Sequence, residues 1–343
     1  GVAIASAAVY LQDPPPQVQG RGAAVVSSQV ADLAQLGQLT GHKGPVQAIE
    51  LADQGRSLVT VGSDGTLRIW ATASNALLRT IEMDDGPATA LTAWPSDKKA
   101  LTGHKSGTIV LWDVEKAEKL AQFQHGEVAV TSLALLNDGN RFVAANTGGA
   151  IALFDVRTPS SAPMVLEGQD GLPQSAQWVA AARSRAMLAF AGKDRAMKLW
   201  QVDAGRGRPD AGRLVRGWRP GESEVTALDI ASHGWTVASG GADGMVRLWS
   251  TANARGSRTL KLHEGRVTAV ALGPGDRMLA SGGEDGLVRL WDTFGGQTPR
   301  QIKAGGGAAR GLVFSADGRR LYVAAQDGSV RIWSTLPAGL PQN

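Results

Sequence analysis

The sequence of 343 residues contains no cysteine. That absence excludes disulfides, thiolate metal sites, cysteine nucleophiles and covalent haem attachment together. It leaves the compartment open, because a cysteine-free chain tolerates either redox environment. Aromatic residues are also scarce, at 5%, yet 10 of them are Trp. Charged residues make up only 19%, and the net charge of +4 is too weak to imply nucleic acid as a partner. Nowhere does a 3.6-residue apolar period persist, so no helix is expected. What is abundant is glycine, at 44 residues, beside a hydrophobic fraction of 43%. Together they fit many short strands and tight turns around a sizeable core in one all-β domain.

The first residue is Gly1 rather than Met, which reads as a fragment or a processed product. Gly1 to Leu11 is nearly all apolar and is followed by Asp13, Pro14, Pro15 and Pro16. Eleven residues are too few to span a bilayer. Three readings stand: the end of a membrane tether that begins upstream of Gly1, the apolar part of a signal peptide, or a loose apolar arm. Cytoplasmic and exported or membrane-tethered locations therefore both stay open. Residues 1–30 are expected to be this arm and a Pro/Gly/Ala-rich linker, 31–336 the folded domain, and 337–343 a C-terminal tail.

A repeat organises the rest. Trp closes a β-like run at Trp70, Trp112, Trp200, Trp249, Trp291 and Trp333, and Phe154 fills the same slot once. Successive intervals are 42, 42, 46, 49, 42 and 42 residues. Each unit carries an alternating strand (VTALDI, Val225 to Ile230), a turn, a short apolar strand (MLASGG, Met278 to Gly283), an Asp-Gly turn and the strand ending in the aromatic. One more short strand follows, such as RTLKL (Arg258 to Leu262). Four strands per unit and seven units at this period predict a seven-bladed β-propeller of antiparallel blades.

The Gly41-His42 dipeptide, the Asp64-Gly65 and Asp285-Gly286 turns, and the closing Trp112-Asp113 and Trp291-Asp292 pairs resemble the WD-repeat family. The resemblance covers about residues 33 to 336. It implies a ring with a central channel, a scaffolding rather than catalytic role, and structural tetrads of His, Ser/Thr, Asp and Trp. Matching residues complete a tetrad in the first unit (His42, Thr60, Asp64, Trp70) and in the sixth (His263, Ser281, Asp285, Trp291). The fifth keeps Ser239, Asp243 and Trp249 without a His, and the fourth and seventh keep only Asp194 with Trp200 and Asp327 with Trp333. Ser106 and Gly148 replace the Asp in the second and third, which should lean on apolar packing. Ten residues follow Trp333, too few for an outer strand. The run Gln35 to His42 is therefore expected to complete the last blade and remove two free sheet edges.

Against this repeat, the Asp, His and Ser of the tetrads read as blade-internal hydrogen-bond chains and not as a catalytic triad. His104, His125 and His233 fall on different units without metal-ligand spacing. Gly305 to Gly307 lacks the Lys-Ser/Thr of a phosphate loop, and no nucleophile elbow occurs. No cofactor and no metal are implied. The bends before the first strands supply one partner-binding candidate per blade: Lys43, Asp85, Glu127, Asp170, Glu224, Arg266 and Arg310. Their mixed charge points to one or more protein or peptide partners, with the propeller monomeric inside a larger assembly. Arg216, Trp218 and Arg219 belong to an Arg-rich stretch, 206–219, in the 49-residue interval, which is either a merely solvated inserted loop or a partner-contact patch that does not support the fold. Trp235 is either a packed bend or a bottom-face contact. Arg68, Lys198, Arg247, Arg289 and Arg331, each two positions before the closing Trp, are either solvated or a ring of positive charge. Two other functional classes stay open: an enzyme or small-ligand binder using the channel, and an anion binder using 206–219.

Overall fold

Each repeat unit folds as a four-stranded antiparallel sheet because its segments alternate apolar and polar residues between turn signals. In blade 1 the strands are Val46–Ala52, Ser57–Gly62, Thr66–Ala71 and Leu77–Glu82, hydrogen-bonded in that order. The second and third are joined by the Asp64-Gly65 turn, where Gly65 takes φ +76°, a value an L side chain adopts only with strain. A computed structural model describes residues 33–166, 176–182, 184–202, 212–252, 258–261, 263–293 and 299–336, and within these it shows seven such sheets. The predicted arm, residues 1–30, and tail, 337–343, lie outside the described residues. The helical content of the described residues is two single 3-10 turns, Asp53–Gly55 and Pro274–Asp276.

The seventh sheet is discontinuous in sequence. Its inner three strands are Ala309–Phe314, Arg320–Ala325 and Val330–Ser334, and its outer strand is Gln35–Leu39 from the other end of the domain. Gln35 stands opposite Trp333 and Leu39 opposite Val330. The expected closure by the N-terminal strand is thus the observed register.

No blade buries its faces alone. The apolar core is divided into seven clusters, each shared by two neighbouring blades. Between blades 1 and 2, for example, Val59, Leu67 and Ile69 meet Leu91, Val110 and Trp112. A fully buried side chain of this kind stabilises by about 2 kcal/mol. Every junction also carries a polar stitch. Asp53 N–H donates to the Asp97 carbonyl (1 to 2, 3.0 Å), Thr89 Oγ to Val130 O (2 to 3, 2.6 Å), and Ser132 Oγ to Val179 O (3 to 4, 3.0 Å). Ser184 Oγ donates to Ser232 O (4 to 5, 2.7 Å), Thr226 Oγ to Val267 O (5 to 6, 2.6 Å) and Thr268 Oγ to Ala309 O (6 to 7). Arg320 closes the set by donating to Thr72 O of blade 1 (3.0 Å).

The first strands line the channel. The turns between first and second strands lie on one face, here the bottom. The Asp-Gly turns and the bends leading into the next blade lie on the other, the top.

The latch has a thermodynamic consequence. Leu33 and Leu39 are buried in the junctions flanking blade 7. A chain starting at Lys43 loses both, about 4 kcal/mol of burial, and bares the edge of Val330–Ser334. A chain starting at Ala31 keeps them. Thermal melting should show the Ala31 chain matching the full chain and the Lys43 chain melting well below it; equal midpoints for the two truncations would contradict closure through Gln35–Leu39.

Candidate interaction faces

The polar interior of the blades fixes the geometry of the top face. In blade 1, Trp70 Nε1–H donates to Thr60 Oγ (3.0 Å), and that hydroxyl bonds His42 Nε2 (2.8 Å). His42 Nδ1 in turn meets the Asp64 carboxylate (3.0 Å). Blade 6 repeats the chain through Trp291, Ser281, His263 and Asp285, at 3.4, 2.9 and 3.0 Å. Burial keeps both imidazoles below the usual histidine pKa, despite the opposing pull of Asp64 and Asp285. For Asp64, burial works upward, but the Lys43 amide, His42 and Thr66 prevail and bring it to about 2. The chain therefore ends in a fixed carboxylate at the top of the blade.

That carboxylate also grips the neighbouring bend. Asp64 accepts from the Lys43 amide (2.9 Å), Asp285 from that of Glu264 (3.2 Å), and Asp327 from that of Gly306 (3.1 Å). The side chains of Lys43 and Glu264 stay exposed on backbone that is held from below.

The space around the imidazole is shared, and each blade fills it differently. A Cβ on Gly62 would stand 2.3 Å from His42 Nδ1, and one on Gly283 the same distance from His263 Nδ1. In blade 2 the equivalent of Gly62 is His104, opposite Ala88 as Gly62 is opposite Val46. Its ring enters the same space from the second strand, taking Thr102 Oγ at Nε2 (2.9 Å) and reaching Gly86 O through Nδ1 (3.0 Å). Trp112 Nε1–H donates to Thr102 (2.9 Å), so the chain survives without its Asp. Reliance on apolar packing was the expectation for this blade; the relocated histidine corrects it. In blade 3, Asn146 takes that position and bonds the His125 carbonyl and the Ala150 amide, at 3.2 and 3.1 Å. There Phe154 stacks on Phe142 with ring centroids 4.9 Å apart, in accord with apolar packing.

In blade 7 the bend histidine is lost and an arginine moves in. The histidine's place is taken by Gly305 (φ +127°), whose Cβ would lie 1.6 Å from Arg331 Nη1. Arg331 bonds Ala304 O (2.9 Å), Ser329 Oγ (2.7 Å) and Asp327 (2.7 Å). In blades 5 and 6, Arg247 pairs with Asp243 at 2.7 Å and Arg289 with Asp285 at 2.8 Å. Arg68 lies 3.9 Å from Asp64. These guanidinium groups are largely buried and compensated within their own blades. They form neither a solvated row nor a ring of free charge. Blades 4 and 7 carry Phe190 and Val323 in the hydroxyl position, and the Nε1 atoms of Trp200 and Trp333 lack a partner among the described residues.

The predicted contact residues separate into groups. Lys43 and Glu127 are exposed on top-face bends. Glu224 and Arg266, on successive blades, pair with each other at 2.9 Å, and Asp85 lies 3.7 Å from Lys119. Arg310 is exposed but sits inside the first strand of blade 7, at the register shift between Ala309 and Gly311, and not in the bend. Asp170 lies outside the described residues. Among the described residues no cluster of three or more His, Asp or Glu could hold a metal.

The Arg-rich stretch corrects another expectation. Gly212–Trp218 is the regular outer strand of blade 4, with Trp218 opposite Met197 and Arg216 opposite Leu199. Trp218 is half-buried, packs on the junction between blades 4 and 5, and stands 5.8 Å from the ring of Trp249. It supports the fold. The residues that break the period, 203–211, lie outside the described residues, so the offset precedes the strand. Arg219 is exposed just beyond it. On the bottom face Trp235 is 44% exposed, which makes it a surface residue and not a packed bend. Arg185, which the sequence did not single out, lies over its ring at 3.9 Å.

The family described as WD domain, G-beta repeat matches residues 33–71, 213–250, 256–292 and 299–334. These segments hold the aromatic-closing strands of blades 1, 5, 6 and 7, the four that combine the closing Trp, the turn Asp and the guanidinium two positions before the Trp. SIR4-interacting protein SIF2 of Saccharomyces cerevisiae is 36% identical over 53 residues, covering 16% of this chain and 10% of that protein.

Asp285→Ala would strand His263 and the buried Arg289 without their carboxylate, at a cost of about 3 kcal/mol. Ser106→Ala removes a hydroxyl bonded only to Thr108 (2.9 Å) and should cost about 1 kcal/mol or less. Urea denaturation of the two variants gives the ranking directly; Ser106→Ala emerging as the less stable would refute the assignment of the buried chain.

Proposed function

The chain is a seven-bladed β-propeller of the WD-repeat family, and we propose that it is a non-catalytic scaffold that holds a protein or peptide partner on its propeller faces. The carrying observation is the grip of the turn carboxylates on the top-face bends. Asp64, Asp285 and Asp327 fix the backbone beneath Lys43, Glu264 and Gly306. A surface ordered before contact loses less conformational entropy on binding. Its mixed charges suit a protein of patterned charge better than a uniform polyanion. The name of the similar yeast protein describes an interaction of that protein with another protein, which agrees with this reading.

Charge reversal on the top face tests it. Lys43→Glu, Glu127→Lys and Glu264→Lys combined should leave the melting temperature unchanged and reduce recovery of cross-linked partners at least tenfold. Reversal at Arg79 and Glu118, on the outer edges of blades 1 and 2, is the control. Undiminished recovery by the top-face variant would overturn the assignment of that face.

A further inference from the structure

Trp235 occupies a turn position that the repeat gives to other chemistry. Two residues before the second strand's first fully buried apolar residue, the blades carry Arg56, Lys98, Asn140, Ala186, Trp235, Arg277 and Arg319 in order. Nothing in blade geometry calls for an indole there, and Trp235 is the one exposed large aromatic among the described residues. The other exposed large apolar side chains lie elsewhere. Leu77, Leu78, Leu120, Val165 and Val215 are on outer strands, and Val128 is on a top-face bend.

The surroundings of the indole are both rigid and cationic. Its turn is tied to blade 4 by the Ser184 amide and hydroxyl, which both donate to Ser232 O (2.8 and 2.7 Å). It is tied to blade 6 by His233 Nε2, 3.0 Å from the buried Asp276 carboxylate. Arg185 is exposed, stacks on the indole, and has no ion-pair partner among the described residues. This contrasts with the arginines of the neighbouring first-to-second-strand turns, since Arg141 pairs with Asp138 (2.5 Å) and Arg277 with Asp292 (3.5 Å). One face of the guanidinium is covered by the ring, while no described residue takes its N–H edge, which has the geometry to receive a carboxylate.

We propose that Trp235 and Arg185 form a second, bottom-face docking site for an acidic peptide segment, a carboxylate reaching the Arg185 edge while an adjoining apolar side chain lies against the indole. Charge complementarity selects this occupant: an uncompensated cation beside a fixed aromatic surface attracts a carboxylate next to an apolar group. A lipid surface fits less well, because the turn presents a single aromatic and no further exposed large apolar side chain beside it. This site is separate from the top-face bends and does not depend on them.

A random 12-residue peptide library selected on the immobilised full chain, with fluorescein-labelled winners titrated by anisotropy, tests the site. Selected peptides should be rich in Asp or Glu beside apolar residues. Trp235→Ala and Arg185→Ala should each weaken them at least tenfold at unchanged melting temperature, and Lys43→Glu should leave them unaffected. Affinity should fall as salt rises from 50 to 300 mM. Winners without acidic enrichment, acidic winners that bind Trp235→Ala as tightly as the wild type, or winners lost with Lys43→Glu would each overturn the proposal. The last of these would leave the top-face reading intact. Trp235-dependent binding to phosphatidylserine vesicles, without acidic-peptide binding, would overturn it in favour of a lipid contact.

Discussion

A blade of this propeller is too thin to bury both of its faces, and the remaining architecture follows from that constraint. Each sheet must lay one face on the blade before it and the other on the blade after it, so the core is a ring of seven junctions rather than one central mass. Such a ring is satisfied only when closed, because an open one would leave two apolar faces in water. The strand Gln35–Leu39 meets that requirement by joining the two ends of the domain in one sheet. Channel, top face and bottom face are consequences of closure.

Within the blades, polar groups compete for one small space beside the closing Trp. Glycine at 62 and 283 clears it for an imidazole from the preceding bend. His104 occupies it from the opposite side, and Arg331 reaches it over Gly305. These solutions differ in sequence but meet the same physical demand: a buried donor or acceptor needs a partner. They also share an output. In blades 1, 6 and 7 the turn Asp is held from inside by His42, by His263 and Arg289, or by Arg331, and still accepts a hydrogen bond from the bend outside, as Asp64 does from Lys43. The interior network thereby stiffens the exposed bends.

Much of this was legible in the sequence because it is local and periodic. The spacing of Trp70, Trp112, Phe154, Trp200, Trp249, Trp291 and Trp333 gave the blade count, and the likeness of Gln35 to His42 to the outer-strand segment Arg258 to Gly265 pointed to the closure. The tetrads of blades 1 and 6 followed from matching positions. His104 was missed, although aligning Thr102-Gly103-His104 with Thr60-Val61-Gly62 places it at the glycine position. The fates of Arg68, Arg247, Arg289 and Arg331 were not legible, because alternation marks a position as facing away from its own strand's core without revealing the turn Asp waiting there. Trp218 was misread because a long interval does not say where the extra residues sit; they precede the strand. The stacking of Arg185 on Trp235 joins turns from two blades, and no local pattern encodes it.

The top bends and the bottom ledge can act as fixed surfaces only if the ring opens as a unit. Hydrogen exchange read by mass spectrometry, across a series of sub-denaturing urea concentrations, measures this directly. Amides of 35–39 and 330–334 should open with the same free energy as the channel-lining strands 46–52 and 267–272, all merging with global unfolding. Exchange of 35–39 at a much lower free energy, while the first strands stay protected, would contradict a fold held by its latch.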